Sequence, residues 1–184
     1  MSELEEFNRE LIADVQGDAD VGGTYTTEAF FEKMGDILTE AGELDCADYA
    51  YFEGTGKNAT ALQVDGYGGD PRYAQGILSL IICDFQVTEE VRGIKGDQLK
   101  SYFNRLAGFL RHALREDFRE KLEETSTGFM LADLIATTWP SITKIKMILI
   151  TNAEKRVRAD SLPAGSVEDR PVTYSVWDLA RIEK

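Results

Sequence analysis

The chain has 184 residues and a single His, and its 20 Lys and Arg against 33 Asp and Glu give a net charge of −13. That length suits one domain, and 43% hydrophobic with 29% charged residues is a globular composition rather than a disordered one. One His and two Cys cannot fill a zinc tetrahedron, Cys46 and Cys83 are too far apart for a CxxC motif, and the negative charge disfavours a general nucleic-acid coat, which needs a basic face.

Residues 1–15 predict a helix, with Leu4, Phe7, Leu11 and Val15 on one stripe and Ser2 with Glu5 as a capping box. GDADVGGTYT then predicts a break. TTEAFFEKMGDILTEAGEL is the second helix, capped by Thr26 or Thr27, buried through Phe30, Phe31, Met34, Ile37 and Leu38, and closed by a left-handed Gly42. Three extended segments follow: CADYAYFEG, ATALQVDGYGG and GILSLIICDFQV. The last is apolar almost throughout from Ile77 to Cys83, as suits a strand buried on both faces, and GGDPRYAQG makes the hairpin loop before it. Residues 95–118 predict one long amphipathic helix through Leu99, Phe103, Leu106, Phe109 and Leu110. FMLADLIATTW predicts a shorter helix ending before Pro140. KIKMILITN is another buried strand, EKRVRADSLPAGSVEDR reads as a loop, and PVTYSVWDLARI closes as a strand entering a helical turn. The long helix between the third and fourth strands is a crossover, so those strands are expected to run parallel. The fold class is α/β, a mixed sheet flanked by helices in the order α-α-β-β-β-α-α-β-β. The single domain 1–184 divides into an N-terminal helix (1–18), a core (26–152) and a loop with closing strand (153–184). No signal peptide and no bilayer-spanning apolar run are evident, so a cytoplasmic protein without a membrane partner is expected.

A carboxylate ending an apolar strand is unusual. Asp84 and Gln86 are two apart and share a face. Asp65 interrupts the preceding strand, and pairing through the hairpin lets Asp65 and Asp84 approach. Two carboxylates near one point suit a hard divalent cation such as Mg²⁺ or Mn²⁺, which activates water and clamps a phosphoryl oxygen. Glu32, or Glu28 one turn earlier, is the third acid. The structural alternatives are a strand end reaching solvent for Asp84, an Asp-Gly turn at 65–66, and solvated helix charges for Glu28 and Glu32.

A helix with an acid, then strands carrying Asp and (D/E)xK, resembles the PD-(D/E)xK nuclease superfamily, here in FFEKMGDILTEAG, VDGYG and IICDFQ. MSELEEF, GKNATALQVDGY, SLIICDFQ and RPVTYSVWDLARI together resemble the N-terminal domain of the abortive-infection phage-resistance (AIPR) proteins. The resemblance implies a restriction-endonuclease-like fold and a phage-defence role, with a larger C-terminal region following. It also implies metal-dependent phosphodiester hydrolysis, with Asp65, Asp84 and Gln86 catalytic and Asp65, Asp84 and Glu32 holding the metal. Gln86 stands where the motif has Lys, keeping a donor but losing the charge; some active relatives carry Gln there. The alternative function is a catalytically inactive nuclease-like module for interaction or sensing, with Tyr49, Tyr51 and Tyr73 as contacts; a homo-oligomer or the C-terminal region would be its partner.

Cys83 reads as a small buried hydrophobe, Cys46 as a partly exposed thiol, and His112 as a surface residue. Basic residues cluster at Arg105, Arg111, Arg115, Arg119 and Lys121, and again at Lys155, Arg156 and Arg158. They are the candidates for a phosphate contact, against ordinary pairing of Lys121 with Asp117 and Arg119 with Glu123. Asp70, Glu89 and Glu90 are expected to flank the site and to repel a polyanion.

Overall fold

A computed structural model of the protein describes residues 1–156 and 165–184. Helix α1 (Glu3–Gly22) starts at the expected capping box, in which the Ser2 hydroxyl accepts from the Glu5 N–H. It does not break at Gly17. Ala19 extends the buried stripe of Leu11 and Val15, and the helix stops only at Gly23, where φ is +66°. Helix α2 (Thr26–Glu40) buries Phe30, Phe31, Met34 and Leu38. Its expected threonine cap is absent: Tyr25 is the N-cap and makes no side-chain bond. Gly42 is left-handed, at φ +77°.

Strands β1 (Asp48–Thr55), β2 (Ala61–Tyr67) and β3 (Ile77–Asp84) form an antiparallel meander. After the short β4 (Gly93–Ile94), helix α3 (Gly96–Ala113) crosses over. The single helix expected over 95–118 is broken. Arg115 turns extended and α4 (Glu116–Glu120) starts anew, which folds Phe118 back against Phe52 and Phe109. Helix α5 (Thr127–Thr138) leads into β5 (Lys144–Thr151), parallel to β3 over its whole length as the crossover argument requires. The segment expected to be a loop after β5 contains β6 (Glu154–Lys155), paired with β4, and β7 (Gly165–Val167); Arg158 lies outside the described residues. β8 (Arg170–Trp177) runs parallel to β5, and α6 (Leu179–Glu183) ends the chain as a helical turn.

The main sheet has the order β1-β2-β3-β5-β8-β7. Leu78, Leu80 and Ile82 of β3 pack with Met147 and Leu149 of β5 beneath Leu99, Leu106, Phe109 and Leu110 of α3 and Leu131 and Ile135 of α5. The alternate residues Ile81, Cys83, Ile148 and Ile150 pack beneath α1, α2 and α6. Both faces of β3 and β5 are therefore covered, and this is why their sequences are apolar without alternation. The result is a mixed sheet between two helical layers. No helix of the described residues is long and apolar enough to cross a membrane.

Candidate active-site cleft

The three central strands β3, β5 and β8 are parallel, and open α/β sheets bind ligands beyond the carboxyl ends of such strands. Beside that edge lies a cleft of about 830 Å³, lined among others by Glu28, Tyr49, Tyr51, Asp65, Asp84, Gln86, Tyr102 and Arg105. Three of the residues singled out in sequence, Asp65, Asp84 and Gln86, thus meet in one hollow. Glu32 does not join them. It is exposed and borders two other hollows, while Glu28, one turn earlier, lines the cleft. Asp70 also stands elsewhere: it caps a short turn in the β2–β3 connector, at the opposite end of β3, and pairs with Arg72 at 2.7 Å.

Asp65 is 0% exposed and sits inside β2, so Asp65-Gly66 is not a turn. Strands β2 and β3 share only the pairs Gly66↔Ile81 and Tyr67↔Leu80. Past these rungs the carboxylate of Asp65 takes the place of a backbone acceptor, its Oδ2 accepting the Cys83 N–H at 2.8 Å. Gln63 Nε2 donates to the same oxygen at 3.2 Å. Oδ1 is buried and has no hydrogen-bond partner among the described residues. Burial pushes the Asp65 carboxyl up to about 6, against the two hydrogen bonds that lower it and with some help from the charge of Glu53. Gly66 is obligatory, because a Cβ there would lie 2.3 Å from Phe31 Cζ and 2.5 Å from the Asp48 carbonyl oxygen.

Asp84 is arranged the same way. Its Oδ2 accepts from Thr151 Oγ1 at 2.8 Å and from Arg92 Nη1 at 2.9 Å. Its Oδ1 receives a long 3.4 Å contact from Gln86 Nε2, and the Tyr102 phenol also lies against this carboxylate. Both carboxylates are therefore held through one oxygen by two donors. Arg92 Nη2 also donates to Asn152 Oδ1 at 2.8 Å, and Asn152 Nδ2 donates to Asn8 Oδ1 of α1 at 3.1 Å. Asn8, Thr151 and Asn152 are all buried, so the hydrogen bonds among them have few competitors from solvent.

The walls are aromatic. The rings of Tyr49 and Tyr51 are nearly parallel, with centroids 6.5 Å apart, and both line the cleft. Burial, then the charges of Asp65 and Glu28, pushes the Tyr49 phenol far up. Burial and Glu53 push Tyr51 to about 12, and burial and Asp84 push Tyr102 to about 12. These phenols stay protonated, so they act as neutral donors. The Cys83 thiol is buried and pushed well up by desolvation. It is a packing residue, and Cys46 is exposed. Among the described residues no three of His, Cys, Asp and Glu gather into a metal-holding group, so any cation here would depend on the Asp65 and Asp84 pair, with Gln86 and cleft donors around it.

Gln63, Arg92, Thr151 and Asn152 escaped sequence reasoning as site residues, and of the basic residues named as phosphate-contact candidates on and after the long helix, Arg105 lines the cleft. The signal was Thr-Asn ending a buried strand parallel to β3, and Gln63 two residues before Asp65 on its face. His112 is not a surface residue. It is half-buried, with Nδ1 2.8 Å from the Gly108 carbonyl and Nε2 accepting the Lys57 N–H at 3.0 Å. A carbonyl opposite Nδ1 and an N–H opposite Nε2 assign the neutral Nδ1–H tautomer. The expected helix pairs are also replaced: Arg115 binds Asp117 at 2.8 Å, and Arg119 donates to the Ala113 carbonyl.

No curated protein and no solved structure gives a significant match. A family model does: that of the abortive infection phage resistance protein N-terminal domain covers residues 30–184, from the second turn of α2 through every strand that frames the cleft. The chain belongs to that family, whose role is phage resistance.

Proposed function

We propose that the cleft is a divalent-cation-dependent phosphodiesterase site of the PD-(D/E)xK nuclease type, serving phage resistance. The observation that carries this reading is the buried, unpartnered Oδ1 of Asp65 in the hollow that also holds Asp84. An unsatisfied buried acceptor costs about 1–3 kcal/mol, and a carboxylate oxygen kept in that state is suited to a ligand that is not always there. Asp65 and Asp84 would hold Mg²⁺ or Mn²⁺, with Glu28 rather than Glu32 as the nearby helical acid. Once bound, such a cation supplies Lewis acidity toward a phosphoryl oxygen and toward water. Gln86, exposed beside Asp84, offers an amide that orients a water without adding positive charge. The paired hydrogen bonds on each Oδ2 fix the carboxylate planes, which is the preorganisation a cation site requires.

Titration calorimetry with Mn²⁺ and Mg²⁺ tests the reading. Wild type is expected to bind near or below the millimolar range, and Asp65→Asn and Asp84→Ala are expected to lose that binding. Gln86→Lys is expected to raise metal-dependent cleavage of an oligonucleotide. Cleavage that survives Asp84→Ala, or a folded wild type that takes up neither cation, overturns it. The second reading, an inactive interaction module, draws on one observation: Arg92 already neutralises Asp84, so this half of the cleft is stable without a cation.

A further inference from the structure

We infer that Arg105 is the substrate-phosphate contact of the cleft and that the substrate enters as a single nucleic-acid strand; this rests on the phosphodiesterase reading. Among the described residues Arg105 is the only basic one lining the hollow, whose walls also carry Glu28, Glu53, Asp65 and Asp84. Arg72, Arg92 and Arg115 each hold a carboxylate within 3 Å. Arg105 instead donates to Gln63 Oε1 at 3.1 Å and to Ser101 Oγ at 3.5 Å, and its guanidinium lies 5.0 Å from the Tyr102 ring centroid. It makes no ion pair among the described residues. A guanidinium fixed by neutral partners keeps its full charge for an incoming anion, and its planar fork matches a phosphate.

The connection to the carboxylates is direct. Arg105 donates to Gln63, and Gln63 donates to Asp65 Oδ2. A phosphate at Arg105 therefore lies one hydrogen-bonded side chain from Asp65. Helix α2 opens at the same hollow without a side-chain cap, so its first N–H groups add partial positive charge there. The flat faces of Tyr49, Tyr51 and Tyr102 suit unpaired bases, which stack on aromatics without regard to sequence. A net charge of −13 disfavours a duplex, which calls for a broad basic face, so one localised phosphate contact plus stacking fits the chemistry better.

The test is fluorescence anisotropy of a labelled single-stranded phosphorothioate 12-mer with the full chain, in Ca²⁺, across a salt series. Arg105→Gln, which keeps a donor toward Gln63, is expected to weaken binding about tenfold at low salt, as for loss of one charge-assisted hydrogen bond. It is also expected to reduce the slope of log K on log salt by about 0.7, one single-strand phosphate contact. Arg105→Lys is expected to keep the slope, and Arg105→Gln to keep wild-type Mn²⁺ affinity. Unchanged affinity and slope in Arg105→Gln overturn the assignment. Loss of Mn²⁺ along with the oligonucleotide makes Arg105 a positioning residue for Asp65 and overturns the contact. A wild type that binds Mn²⁺ but no oligonucleotide defeats this inference alone; one that binds neither defeats the cation reading with it.

Discussion

Asp65→Asn in the absence of divalent cations should make the protein more stable at neutral pH. The carboxyl titrates near 6 in the folded protein against an ordinary value of 3.8. A raised acid pKa means the folded state holds its proton more tightly than the unfolded chain. Stability is therefore highest below pH 3.8 as far as this group is concerned, and declines as pH rises to about 6. At about 1.4 kcal/mol per tenfold change in the protonation equilibrium, that interval corresponds to about 3 kcal/mol above pH 6. Asn cannot ionise and can still accept the Cys83 N–H. It should recover most of that loss, about 2–3 kcal/mol, and raise Tm by about 5–10 °C for a chain of this size. Urea or thermal unfolding at pH 7.5 and pH 4.5 reads the effect, which should be large at the first pH and shrink at the second. If Asp65→Asn is equally destabilising at both, the carboxylate is an ordinary strut of the β2–β3 junction and the burial of its charge carries no such cost.

Two further outcomes follow from the geometry. Breaking the Asp84–Arg92 pair with Arg92→Gln should cost about 2–3 kcal/mol, below the 3–5 typical of a buried pair because the Arg92 side chain is 23% exposed; a double-mutant cycle with Asp84→Asn should show strong coupling, and zero coupling would refute the clamp. Gly66→Ala should cost about 3 kcal/mol or more, or prevent folding, because the added Cβ meets the Asp48 carbonyl as well as a ring; an expressed variant with wild-type Tm would show that β1 and β2 can part there.

The sheet was readable because its central strands are long and apolar and the crossover rule fixes their direction. Helix ends were less so. Gly17 reads as a break, yet a buried Ala19 two residues on carries α1 to Gly22, since packing outweighs the about 1 kcal/mol propensity cost of glycine. The α3–α4 break has no Gly or Pro to announce it; it exists to return Phe118 to the core. Asp65, Asp84 and Gln86 line one hollow, though Gln86 lies past the end of β3. Alternation with Leu62, Val64, Leu80 and Ile82 puts Asp65 and Asp84 on opposite faces of the sheet, so they meet at its edge rather than on a shared face. Glu32 and Glu28 could not be separated, because one helical turn leaves both near the same stripe and only the tilt of α2 on the sheet decides which meets the hollow. Arg92 and Asn152 were invisible because they lie 8 and 66 positions from their partners Asp84 and Gln86, separations that no local pattern spans.

The stretch matched by the family begins at residue 30, yet Asn8 of α1 is buried and accepts from the Asn152 amide that also anchors Arg92. Leu11, Val15 and Ala19 cover the sheet together with α2. The matched span and the packed unit therefore start at different places. A helix upstream of the matched span is linked through Asn152 and Arg92 to Asp84. Changes in that helix give evolution a way to retune the cleft while leaving every residue that lines it untouched.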